Sequence, residues 1–159
     1  MSAAHAYREE TAFEALVSEA FGGARQGAVL VVEARDVPAP RLPWLQQLLS
    51  TSVPGGAVHL AGEGLLLIVV RHAGPAETWL LVERLRRKLP RSGWERVVVA
   101  SATWPVQGSS PMDVVAAALA SLFDERTRLE QEWSHREVWL EVDGHVGFNW
   151  GYAGELLTG

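Results

Sequence analysis

Apolar residues follow two rhythms along this chain. Phe13, Leu16, Val17, Ala20 and Phe21 recur at three- and four-residue steps and run into Gly22-Gly23, which predicts a helix over residues 8–21. Ala28 to Val32 is an unbroken apolar run, the pattern of a central strand covered on both faces. Val37-Pro38-Ala39-Pro40 breaks that run and leads into a second helix over 41–50, with Leu42, Leu45 and Leu49 on one stripe. Pro54-Gly55-Gly56 marks a turn. In VHLAGEGLLLIVV, Val58 to Val70, two short apolar runs flank Ala61-Gly62-Glu63-Gly64, which predicts hairpin strands over 57–61 and 65–71. Leu81, Leu85 and Leu89 predict a helix over 76–89, and Val97 to Ala100 a strand. Trp104-Pro105 and Gly108-Ser109-Ser110-Pro111 read as a loop before a helix from 111 to 128 or beyond.

From the first strand onward the order is β-α-β-β-α-β, an α+β class with ferredoxin-like topology. Right-handed crossovers then give a four-stranded antiparallel sheet with helices on one face, one helix preceding the core and one following it. The first strand lies beside the third, so its C-terminal end meets the turn between the second and third. Glu33 and Glu63 are therefore expected near one another. The tail EVWLEVDGHVGFNWGY carries Asp143-Gly144 between alternating runs, the signal of a two-residue β-hairpin. One face of that hairpin is expected to pack on the domain. The other, with Trp139, Val146, Phe148 and Trp150, is the expected surface for another protein or a second copy, Trp44 and Trp79 being further candidates. The division follows: a domain over 1–133 and a hairpin extension over 134–159 packed on it.

Composition narrows the function. A chain of 159 residues that is 48% hydrophobic is long enough for a real core. A net charge of −5 without a basic block speaks against a nucleic-acid surface. The absence of cysteine excludes disulfides and thiolate metal sites. No apolar run is long enough to cross a bilayer, and the polar opening MSAAHAYREE lacks the core of a secretory signal, so a cytoplasmic protein is expected. Arg84, Arg86, Arg87 and Lys88 read as the solvated, dipole-matched end of a helix. The five histidines show no close ligand spacing, and no nucleophile elbow or lysine-bearing phosphate loop is present. Seven tryptophans are many for this length, and whether they close the core or meet a partner stays open.

VVVASATWPVQGSSPMDVVAAALASLFDER, Val97 to Arg126, resembles the closing region of the GGDEF domains of diguanylate cyclases. Ala102-Thr103-Trp104-Pro105, Gly108, Pro111, Ala118, Ala120, Leu122 and Phe123 match that pattern in type and spacing. Glu83-Arg84-Leu85-Arg86 and Phe13 extend the likeness to about residues 8–130. The resemblance implies a nucleotidyl-cyclase, palm-like sheet and a catalytic hairpin at Ala61, Gly62, Glu63, Gly64 and Leu65. It also implies what is missing. Glycine stands at position 64, where active members carry the carboxylate that assists metal binding and activation of the ribose 3′-hydroxyl. Arg35 stands in the place of the second aspartate of the first strand. The base-binding asparagine segment is absent between Asp36 and Arg41, and Ser52 to Gly55 does not match the product-inhibition motif.

The resemblance thus points to a catalytically inactive, GGDEF-like module of bacterial signalling that works by protein–protein contact, without cofactor or metal. A homodimer is a further option. The alternative is a non-catalytic sensor of GTP or cyclic di-GMP, with Mg²⁺ held by Glu33 and Glu63 and phosphate contacted by Arg126. Against that alternative, both glutamates read better as solvated strand ends, because the base-binding segment is absent.

Overall fold

The computed structural model describes residues 15–62 and 64–146, and their side chains as far as residue 135. Helix α1 covers 15–22 of the described chain, and Phe13 lies outside the described residues. Then follow β1 (Gly27–Glu33), a short 3₁₀ turn (Ala39–Arg41), α2 (Leu42–Ser52), β2 (Gly56–Gly62), β3 (Leu65–Arg71), α3 (Pro75–Arg91), β4 (Val98–Trp104) and α4 (Pro111–Val146). The four strands form one antiparallel sheet in the order β2-β3-β1-β4, the ferredoxin-like arrangement expected from the element order.

All seven residues of β1 are buried, because the strand is central and both of its faces are covered. On one face Leu30, Val32, Leu66, Ile68 and Val99 pack with Leu45 and Leu49 of α2 and Val82, Leu85 and Leu89 of α3. On the other face Val29, Val31, Leu67 and Ala100 are equally buried. The apolar stripes of α1 (Val17, Ala20) and of the opening of α4 (Val114, Ala118, Leu122) supply that second layer. Helices therefore cover both faces rather than one. An unbroken apolar strand leaves no face that water could wet at tolerable cost.

Helix α3 begins at Gly74, whose N–H donates to the Glu77 carboxylate at 2.9 Å. The basic end of this helix is not simply solvated. Arg86 donates to the Val99 carbonyl from Nη2 at 2.8 Å and from Nε at 3.2 Å, and pairs with Glu83 and Glu125. Lys88 donates to the buried Ser52 hydroxyl at 2.8 Å, tying α3 to α2.

β4 is longer than the expected 97–100, running through Ala102-Thr103 to Trp104. Trp104 pairs with Gly27 across β1, its ring lies over the bare Cα, and Phe21 stacks on the ring at 4.6 Å between centroids. The proline at 105 ends the strand only after this contact is made.

A second difference lies at the C-terminal end. The expected hairpin about Asp143-Gly144 is not formed: residues 111–146 are one helix. Val138, Val142 and Val146 also sit at a helical four-residue step, and propagating an existing helix is far cheaper than nucleating a new element. One glycine costs it only about 1 kcal/mol. Phe148 and Trp150 lie outside the described residues, as do the side chains of Trp139 and Val146. The chain divides into two compact units, residues 1–125 and 126–159. Within the second, Arg128 and Glu132 pair at 2.8 Å along the helix. Among the described residues no helix is long and apolar enough to cross a membrane.

A Cβ at Gly27 would collide with the Trp104 ring. Gly27→Ala is expected to destabilise the domain by about 1–3 kcal/mol, read as a lower urea midpoint at unchanged slope.

Candidate functional site

The hairpin β2–β3 closes at the pair Gly62–Leu65, after a bulge that leaves Ala61 between Leu60 and Gly62. Gly64 sits in the turn with φ +68°, the left-handed region that favours glycine. Its carbonyl accepts the Ala34 N–H at 2.6 Å, directly beyond the pairing of Glu33 with Leu65. The end of β1 and the hairpin turn are therefore joined by backbone, which is the neighbourhood expected from topology. Glu63 itself lies outside the described residues, so its distance from Glu33 is not part of this geometry.

That junction leaves little room. A Cβ built on Gly64 would stand 3.0 Å from the Ala34 carbonyl oxygen and 3.0 Å from the Arg35 Cα. Both are backbone atoms of the β1 end, which cannot swing aside as a side-chain tip would. The left-handed φ adds strain for any L side chain. Glycine is favoured here by conformation and by close approach together.

Glu33 is not a solvated strand end. Only 7% of the residue is exposed, and its Oε2 receives the Arg35 Nε at 3.0 Å, while the Arg35 side chain is 69% exposed. A charge-assisted bond of this kind satisfies a carboxylate that burial would otherwise penalise. It also sets the Arg35 guanidinium against one of the two carboxylate oxygens. Among the described residues no three His, Asp or Glu side chains gather as a metal site.

Of the remaining candidates, Ala61, Gly62 and Leu65 are half-buried parts of the hairpin frame. Arg126 is half-buried on α4 and begins the second unit. The tryptophans divide. Trp94 and Trp104 are core residues, with the Arg41 guanidinium 4.4 Å above the Trp94 ring. Trp44 and Trp79 stand in solvent at 71% and 62% exposure. Trp79 and Val106 border a cleft of about 300 Å³ beside β4, with Arg86, Ser101 and Gln107. Sequence reasoning did not foresee this cleft, because the residues that line it come from α3, β4, the following loop and α4.

No protein-family model and no curated protein sequence matches the chain. Solved structures do match. The FimX GGDEF domain of Pseudomonas aeruginosa superposes with a TM-score of 0.61 at 12% identity, over 74% of this chain and 88% of that one. The GGDEF domain of YfiN (TpbB) from the same organism gives 0.53 at 11%, over 77% and 83%. A sensory box/GGDEF family protein of Caulobacter crescentus gives 0.51 at 18%, over 76% and 90%. The chain has a GGDEF-like fold. At these identities the likeness rests on the path of the backbone, and the chemistry has to be read from this chain's own residues.

The Gly62–Leu65 turn described above is where the sequence resemblance expects the signature motif. Gly64→Ala is expected to cost about 1–3 kcal/mol and Gly64→Glu at least as much, since each puts a Cβ against the β1 end in a left-handed conformation. Thermal melts of the two variants check this. A Gly64→Glu protein as stable as the wild type would contradict the closed geometry.

Proposed function

We propose that this GGDEF-like domain is a pseudoenzyme of bacterial signalling, a module that acts through contact with another protein rather than by turning over nucleotide. The observation that carries the reading is Gly64. The position that resembles the activating carboxylate of diguanylate cyclases holds a glycine with φ +68°, and backbone atoms of Ala34 and Arg35 stand 3.0 Å from any side chain placed there. Without that group no carboxylate assists activation of the 3′-hydroxyl, and phosphoryl transfer depends on the full set of positioned charges. The ion pair between Arg35 and Glu33 supports the same conclusion, because it occupies the carboxylate that would otherwise face a metal. The bacterial origin of the three matching proteins supports the setting. Exposed Trp44 and Trp79 are the kind of anchors that protein interfaces use.

The test is direct. Incubated with GTP and Mg²⁺, the wild-type chain is expected to form no cyclic di-GMP, and the double variant Gly64→Glu, Arg35→Asp is expected to form none either. Calorimetric titration with GTP, GDP and cyclic di-GMP in Mg²⁺ is expected to show no heat of binding. Product from the wild-type chain, or binding that Glu63→Ala abolishes, would overturn the reading.

A further inference from the structure

The sheet has two edges, β2 and β4, and they are finished differently. On β4 part of the outward-facing backbone is covered, with Ser101 left open between the two capped positions. Arg86 donates two bonds to the Val99 carbonyl. The Gln107 side chain accepts the Thr103 N–H at 3.0 Å, and the Gln107 N–H donates to the Thr103 carbonyl at 2.8 Å. These are the devices by which proteins keep a strand edge from pairing with another chain.

The same bonds fix the phase of the whole sheet. Backbone groups alternate sides along an antiparallel strand. Since Val99 and Thr103 point outward, Val98, Ala100 and Ala102 bond to β1, and Ala28, Leu30 and Val32 bond to Val70, Ile68 and Leu66 of β3. Leu67 and Val69 then bond to His59 and Ala57 of β2. The N–H and carbonyl of Val58 and of Leu60 are left pointing out of the sheet. Among the described residues nothing bonds to them, and only the Gly56 N–H on this edge is capped, by the Val53 carbonyl at 3.0 Å. The strand is GAVHLAG: it has no lysine, carboxylate or proline to guard it, and Leu60 is 51% exposed.

We propose that β2 is a self-association edge, on which two copies of this chain pair antiparallel about a two-fold axis through His59 to join their sheets. The occupant follows from the strand itself. Val58 of one copy falls opposite Leu60 of the other, and the operation repeats that pair on the far side of the axis, each pair exchanging both backbone bonds. Val58 and Leu60 share the face of Ile68 and Leu66, so the pairing lays apolar side chains against apolar side chains and covers Leu60. The chain carries a net charge of −5, yet none of it lies on β2, so two identical edges approach without like charges in register. A seam of one strand per copy is small, and the dimer is expected to be weak, with a dissociation constant on the order of 10⁻⁵ M. The inference stands whether or not the hairpin turn retains chemistry.

Sedimentation velocity of the full chain between about 1 and 300 µM tests it, a range that spans the expected constant. The wild type is expected to shift from monomer to dimer across that range. Leu60→Lys and Leu60→Pro are expected to stay monomeric, because they charge the seam or remove an outward donor without touching the β2–β3 bonds. Backbone amide exchange at Val58 and Leu60 is expected to slow with concentration in the wild type only. If the proline variant fails to fold, the lysine variant and the exchange data carry the test. A wild type that is monomeric throughout, or a dimer that survives Leu60→Lys with unprotected Val58 and Leu60 amides, would overturn the proposal.

Discussion

The hydrogen bond from the Ala34 N–H to the Gly64 carbonyl, 2.6 Å long, ties the end of β1 to the β2–β3 turn. It brings the end of a fully buried strand against a turn in the left-handed region, and the two together favour glycine at position 64. The Glu33–Leu65 pairing lies immediately inside the junction, so Glu33 is carried into a buried position. Once buried, its carboxylate needs a partner, and Arg35 provides one at 3.0 Å. Gly64, Glu33 and Arg35 are thus linked, and a change at one of them is felt by the others.

The same economy holds across the sheet. β1 is covered on both faces and paired on both edges, so its register sets every other strand. At one end Trp104 uses the bare Cα of Gly27 to cover the strand's start, with Phe21 stacked outside it. At the β4 edge, Arg86 and Gln107 complete bonds that no strand completes. At the β2 edge, among the described residues, only the Gly56 N–H is capped, and the proposed self-association rests on that difference.

Much of this was legible in the sequence, and the parts that were not have physical reasons. Continuous apolar runs in β1 and β3, and the glycine-rich turn between β2 and β3, announce the strands because burial and turn geometry act locally. The proximity of Glu33 to the turn followed from strand order alone. β4 was read too short because Trp104-Pro105 looks like punctuation, and only the tertiary contact with Gly27 shows that the tryptophan still belongs to the strand. The tail was misread because Asp143-Gly144 is a strong turn signal in an isolated segment. Here it falls inside a helix that began at Pro111, where continuation outweighs a single glycine. Arg86 and Lys88 looked like a solvated helix end, since nothing local reveals that Val99 and Ser52 wait for them across the fold.

The central claim, proposed above, is that the turn end of this GGDEF-like sheet, joined by backbone and carrying the Glu33–Arg35 ion pair, does not bind nucleotide. An NMR titration of the ¹⁵N-labelled chain with GTP and Mg²⁺, followed at the amides of Ala34, Arg35 and Gly64, tests it most directly. The account predicts that these resonances stay in place up to millimolar nucleotide. Saturable shifts confined to them would show a site open to nucleotide and would contradict it.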